Sequence, residues 1–125
     1  MSVLIDTSVW VDHFKQRNDV LVDLIQIDLA LTHEMVLAEL ACGTPPAPRA
    51  QTLDDIRLLR RSNQASLDEV MEFIERQELY GRGCGLVDLA LLASTLMTPG
   101  CTLWTLDNRL DNLAKRFGVA YHRRH

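Results

Sequence analysis

Val3-Leu4-Ile5-Asp6-Thr7-Ser8 decides the fold class of this chain. Three strand-forming apolar residues run into an acid and two hydroxyl residues that can cap a helix, so the segment reads as a strand followed at once by a helix. Behind it Val9, Trp10 and Phe14 fall at helical spacing, and Val20 to Ile27 forms a second apolar-periodic segment. Leu29 to Thr32 reads as the second strand. Thr32 is the expected cap of a helix over Glu34 to Cys42, which Gly43 and the prolines Pro45, Pro46 and Pro48 terminate.

Beyond the prolines, Gln51 to Arg61 and Leu67 to Leu79 carry apolar residues at three- and four-residue intervals and read as two amphipathic helices. Ser66-Leu67-Asp68-Glu69 has the form of a capping box. A glycine-rich turn, Gly81 to Gly85, leads into Leu86 to Leu96, a helix apolar all round and therefore expected at the centre of the molecule. Pro99-Gly100 then turns the chain into a strand over Cys101 to Thr105. Asn108 to Phe117 is the last helix, stopped by Gly118, and Val119 to His122 is expected as a closing strand before a basic tail. Strands alternating with helices imply a parallel sheet covered by helices, and such sheets bind ligands at the carboxyl ends of their strands. Asp6 and Asp107 each follow such a strand.

With 125 residues the chain has the size of one domain, expected over residues 1–125. Hydrophobic residues make up 47% and charged residues 24%, enough to bury a core without staples. Cys42, Cys84 and Cys101 are odd in number and far apart, which points to a reducing, cytoplasmic setting rather than a disulfide framework. No signal peptide is expected at Met1 to Ile5, where Asp6 follows without a basic stretch. No membrane span is expected in the uncharged run Leu89 to Leu106, because Pro99-Gly100 breaks it. The net charge of −4 opposes nucleic-acid binding unless the acids are gathered in one place and basic residues lie elsewhere. Arg57, Arg60, Arg61, Arg109, Lys115, Arg116, Arg123 and Arg124 are the candidates for meeting phosphate, with a solvated arginine face as the plain alternative for each.

Asp6, Glu39 and Asp88 each stand in an apolar context: Val3-Leu4-Ile5 before the first, Met35 to Ala41 around the second, Leu86 to Leu92 around the third. An ionised carboxylate withdrawn from water costs several kcal/mol unless it is paired or binds a cation. No Lys or Arg adjoins them in sequence. Convergence on a hard divalent ion, magnesium or manganese, answers the need for all of them together, while capping or salt bridging answers it for any one. Zinc is set aside, since His13, His33, His122 and His125 lack ligand spacing. Asp107 has an obvious structural role as N-cap of the last helix, but it ends a strand as Asp6 does, so the four acids can share one cleft.

Val-Leu-Ile-Asp-Thr-Ser at residues 3–8 resembles the opening signature of PIN domains, and of the VapC toxins in particular. Glu39 in Leu-Ala-Glu-Leu resembles the family's second acid, Asp88 in Gly-Leu-Val-Asp-Leu-Ala its third, and Asp107 in Thr-Leu-Asp its fourth. The order runs the length of the chain, although residues 51–79 carry no signature. Asp111, one turn past Asp107, is a competing fourth acid. The resemblance implies a PIN-like three-layer α/β sandwich with a central parallel sheet of four or five strands. It further implies a magnesium-dependent endoribonuclease toxin, with manganese able to substitute for magnesium. Asp6 and Asp88 would be the main metal ligands, with Glu39 and Asp107 completing the cluster and Thr7, Ser8 and Thr105 orienting carboxylates or meeting phosphate. Family partners are a cognate antitoxin, RNA as substrate, a second copy in a homodimer, and promoter DNA through the antitoxin alone. Trp10, Phe14, Leu58 and Leu59 are candidates for a protein-binding groove, though their spacing equally fits plain core.

Two other acidic-pocket enzymes fit less well. An aspartyl-nucleophile phosphatase wants a second aspartate two residues after the first, where Ser8 stands. A receiver domain wants paired acids before its phosphoacceptor strand. The remaining alternative is a catalytically inactive PIN-like binding module, which would lack one or more of the four acids.

Overall fold

The computed structural model describes residues 1–122, so Arg123 and Arg124, two of the phosphate-binding candidates, lie outside it. A parallel sheet in the order β2-β1-β3 is formed by β1 (Ser2–Ile5), β2 (Ala30–Leu31) and β3 (Cys101–Trp104). Val3 pairs with Ala30 on one side and with Thr102 on the other, and Ile5 with Trp104. Among the described residues seven helices flank the sheet: α1 (Thr7–Lys15), α2 (Asp19–Gln26), α3 (Glu34–Cys42), α4 (Arg49–Arg57), α5 (Leu67–Gln77), α6 (Leu86–Leu96) and α7 (Asn108–Arg116). Because β1 is central and apolar on both faces, Val3, Leu4 and Ile5 are almost wholly buried. The apolar helix α6 is central as its composition demands, with Leu89 to Thr95 all buried.

The sheet has three strands where four or five were expected, and the difference lies at its edges. Beyond β2, Thr32 makes a single parallel bridge to Arg61; beyond β3, Leu103 makes one to Ala120. The expected closing strand over Val119 to His122 is reduced to that bridge, with Leu103 N bonded to Val119 O at 2.7 Å and Tyr121 N to Leu103 O at 3.0 Å. The fourth helix runs over Arg49–Arg57 rather than from Gln51 to Arg61. Its last residues are drawn into extended pairing, with Arg60 O accepting from Thr32 N at 2.8 Å and Ser62 N donating to Thr32 O at 3.1 Å. Tertiary pairing here overrides a helical pattern.

That pairing also moves a helix cap. Thr32 is extended and fully buried, and His33 caps α3 instead, its Nδ1 accepting from Met35 N at 3.0 Å. The accepting Nδ1 is unprotonated, so Nε2 carries the hydrogen and donates to Ser94 Oγ at 3.0 Å. Ser94 Oγ also accepts from Ala65 N, which ties α3, α6 and the segment before α5 together inside the core. Elsewhere the local signals are followed: Ser66 and Glu69 form a reciprocal capping box on α5, and Asn18 caps α2.

Candidate active site

Asp6 sits where central strand β1 gives way to α1, and it is 5% exposed. Although it occupies the N-cap position of α1, its side chain makes no capping bond. Its Oδ2 instead accepts from Ser8 Oγ at 2.6 Å and from Thr105 Oγ1 at 2.7 Å. Each hydroxyl is oriented in turn, since Ser8 Oγ accepts from Leu106 N and Thr105 Oγ1 from Asp107 N, both at 3.0 Å. Oδ1 receives none of the hydrogen bonds found among the described residues, so the carboxylate is held by one oxygen and presents the other.

The other three acids are brought toward it by different elements. Glu39, exposed on α3, accepts from Thr7 Oγ1 at 2.6 Å, which links α3 to the first residue of α1. Asp88, half-buried in the first turn of α6, accepts from Gly85 N at 3.2 Å. Asp107 performs the capping expected of it, with Oδ1 accepting from Arg109 N at 2.9 Å and Leu110 N at 3.1 Å. Asp111, the competing fourth acid, forms an ion pair with Lys115 at 3.0 Å.

Electrostatically the four form one group. Burial pushes the Asp88 carboxyl above the usual aspartate range; the Gly85 N–H opposes this, and the charges of Asp6, Asp107 and Glu39 each push it further up. None of the four forms an ion pair among the described residues. An all-oxygen set with uncompensated negative charge is the donor chemistry of a hard divalent cation, and in that respect these residues fit one. Among the described residues, however, no three His, Cys, Asp or Glu side chains are gathered as they would be around an ion. Local hydrogen bonds to Thr7, Gly85 and the α7 N-terminus hold the outer three carboxylates.

Two neighbours of the acids were not read as part of the site from the sequence. Cys84 is half-buried; burial pushes its thiol up, Asp88 and Asp107 push it further, and Arg109 draws it down. Gly83 lies under the Arg109 side chain. Their only sequence signal was the glycine-rich turn. Of the groove candidates, Trp10 is 4% exposed and belongs to the core, and Leu58 is 83% exposed. Phe14, with Val11, Leu40 and Pro45, lines a largely apolar cleft of about 510 Å³ that reaches Thr7 and Glu39.

With this geometry in view, a family model described as the PIN domain matches residues 3–116. Two relatives from Mycobacterium tuberculosis, of the strains CDC 1551 / Oshkosh and ATCC 25618 / H37Rv, both bear the name Ribonuclease VapC32. Each is 39% identical over 118 residues, which covers 94% of this chain and 94% of the relative. No helix among the described residues is long and apolar enough to cross a membrane.

Proposed function

Because this chain belongs to the PIN domain family, matched over residues 3–116 and at 39% identity to proteins named Ribonuclease VapC32, we propose that it is an endoribonuclease. In this reading it hydrolyses RNA phosphodiester bonds at Asp6, Glu39, Asp88 and Asp107, as the toxin of a toxin-antitoxin pair. The observation that carries the chemistry is Asp6: a nearly buried carboxylate with no cationic partner among the described residues, one oxygen fixed by two hydroxyls, and three further acids close by.

The residues act as follows. Asp6 and Asp88 would be the principal ligands of a divalent cation, magnesium by preference and manganese as a substitute, with Glu39 and Asp107 completing the acidic cluster. Such an ion supplies an activated water and neutralises charge that develops on the phosphorus oxygens. Ser8 and Thr105 keep the Asp6 carboxylate in one orientation, and Thr7 does the same for Glu39. The apolar cleft beside Glu39 suits a segment of a cognate antitoxin, which would close the site. A single domain over residues 1–125, a cytoplasmic setting, a homodimer, and contact with promoter DNA through the antitoxin alone belong to the same reading.

The deciding experiment is cleavage of a mixed RNA pool by purified, antitoxin-free protein with magnesium or with EDTA, comparing wild type with Asp6→Asn and Asp88→Asn. Magnesium-dependent cleavage lost in both variants is the expected result. Absence of cleavage by the wild type, or equal cleavage by the variants, would make the acids structural and the chain an inactive binding module.

A further inference from the structure

We propose that Arg109 is the phosphate-binding residue of the acidic site: its guanidinium, laid across Gly83 in the turn before Asp88, takes a phosphate of the bound RNA strand. The inference rests on the ribonuclease reading and assigns the positive charge that reading requires. A polyanion approaching four carboxylates on a chain of net charge −4 meets repulsion that a single divalent cation only partly offsets, so a further cation beside the acids favours binding.

The placement of Arg109 is specific. It is the second residue of α7, two positions after Asp107, and its side chain turns back over the loop that precedes α6. A Cβ on Gly83 would lie 3.0 Å from Arg109 Cδ and Nη1 and 3.1 Å from Cζ, so the guanidinium packs directly on the Gly83 backbone, where a side chain would crowd it by a few tenths of an ångström. Gly83 also has φ +81, a conformation L side chains rarely adopt, so both its backbone and its missing side chain suit this arrangement. Arg109 and the carboxylates of Asp88 and Asp107 all act on the Cys84 thiol, which places the cation in the same electrostatic neighbourhood as the acids.

Arg109 is also free to bind. Among the described residues it forms no ion pair, and the one hydrogen bond of its guanidinium is a long 3.5 Å contact from Nη1 to Gly83 O. Most of its five N–H donors therefore remain for a phosphate, whose oxygens match the guanidinium fork. Three of the other basic candidates are engaged: Arg60 pairs with Asp28, Lys115 pairs with Asp111, and Arg116 lies over the Phe117 ring. Arg57 and Arg61 form no ion pair among the described residues, and neither is among the charges that act on Asp88 or Cys84.

The test measures binding of a single-stranded RNA oligonucleotide in an Asp6→Asn background, which keeps the RNA intact, over a series of salt concentrations. Cleavage is measured in the otherwise wild-type protein. Adding Arg109→Ala is expected to weaken binding about ten-fold and to lower the slope of log Kd against log salt by about 0.7, the loss of one phosphate contact on a single strand. In cleavage the same change should act mainly on KM. Arg109→Lys should keep most of the salt slope while recovering only part of the affinity, because the charge returns without the fork. Arg76→Ala, on α5 and paired with Glu72, should leave the slope unchanged. The manganese-induced rise in Tm should survive Arg109→Ala, which shows the acidic cluster intact. An unchanged slope in Arg109→Ala, or an equal change in Arg76→Ala, overturns the assignment of Arg109 while wild-type cleavage keeps the ribonuclease reading standing. Failure of the wild type to bind or cut RNA overturns both.

Discussion

Thr105 Oγ1 donates to Asp6 Oδ2 at 2.7 Å, a hydrogen bond that joins the ends of β3 and β1 across 99 positions of sequence. It exists because the two strands are adjacent and parallel, so that both deliver their next residues to the same edge of the sheet. With Ser8 at 2.6 Å it leaves Asp6 held through one oxygen.

Removing these hydroxyls should loosen Asp6 without unfolding the protein. Thr105→Val and Ser8→Ala are each expected to lower cleavage and manganese affinity by about 10- to 100-fold, the usual effect of losing a group that orients a ligand. Thr105→Ser should restore most of the loss. Titration of Tm with manganese and cleavage rates check this, and wild-type values for Thr105→Val would show that Ser8 alone suffices.

Asp88 should destabilise the fold when ionised. Its carboxyl is raised by burial and, more weakly, by Asp6, Asp107 and Glu39, so its folded pKa lies above its unfolded one. Its contribution to stability is therefore fully present below the unfolded value and is lost as pH rises through the folded one. Asp88→Asn is expected to raise Tm by a few degrees at neutral pH in EDTA, with the gap closing as the pH approaches that of an ordinary aspartate. Magnesium or manganese should narrow the gap by stabilising the wild type more than the variant. A variant no more stable than wild type in EDTA would mean that the four charges are already compensated.

His33 should make the protein acid-sensitive in a window set by histidine. Burial, first of all, lowers its pKa, with Glu34 opposing and Arg61 assisting. The neutral ring both caps α3 and bonds Ser94, so its contribution is present above the unfolded value near 6.5 and is lost as pH falls through the folded one. His33→Asn keeps a capping oxygen but cannot titrate and loses the bond to Ser94. It is expected to lower stability by about 1–3 kcal/mol at pH 7.5 and to flatten the fall in Tm between pH 7 and 5. Parallel Tm curves for the two proteins would exclude His33 as the source.

Asp107 carries two roles that substitution can separate. Asp107→Asn retains the oxygen that accepts from Arg109 N and Leu110 N and should change stability little, while cleavage falls with the lost charge. Asp107→Ala removes the cap as well and should cost about 1 kcal/mol of stability. Urea denaturation beside cleavage assays separates the two, and equal stability of both variants would mean that the cap is dispensable.

Much of this molecule is legible in short stretches. Val3-Leu4-Ile5 before Asp6, the all-apolar Leu86 to Leu96, the box at Ser66 and Glu69, and the capping by Asp107 are each determined by residues within a turn or two of one another, so the sequence alone decided them. Asp6, Glu39 and Asp88 stood out as carboxylates in apolar stretches for the same reason, and Asp107 as an acid that ends a strand and caps a helix. Tertiary structure decided what depends on partners distant in sequence. Thr32 loses its expected cap to His33 because it pairs with the Arg60 to Ser62 segment, and the outer strands shrink to single bridges. Only the packing of β1 against β3 determined which oxygen of Asp6 is held, and only the fold of the loop under α7 brought Arg109 across Gly83. Propensity and patterning act over a few residues, whereas a parallel sheet joins segments separated by long crossovers, so its contacts across strands are not written in any local stretch.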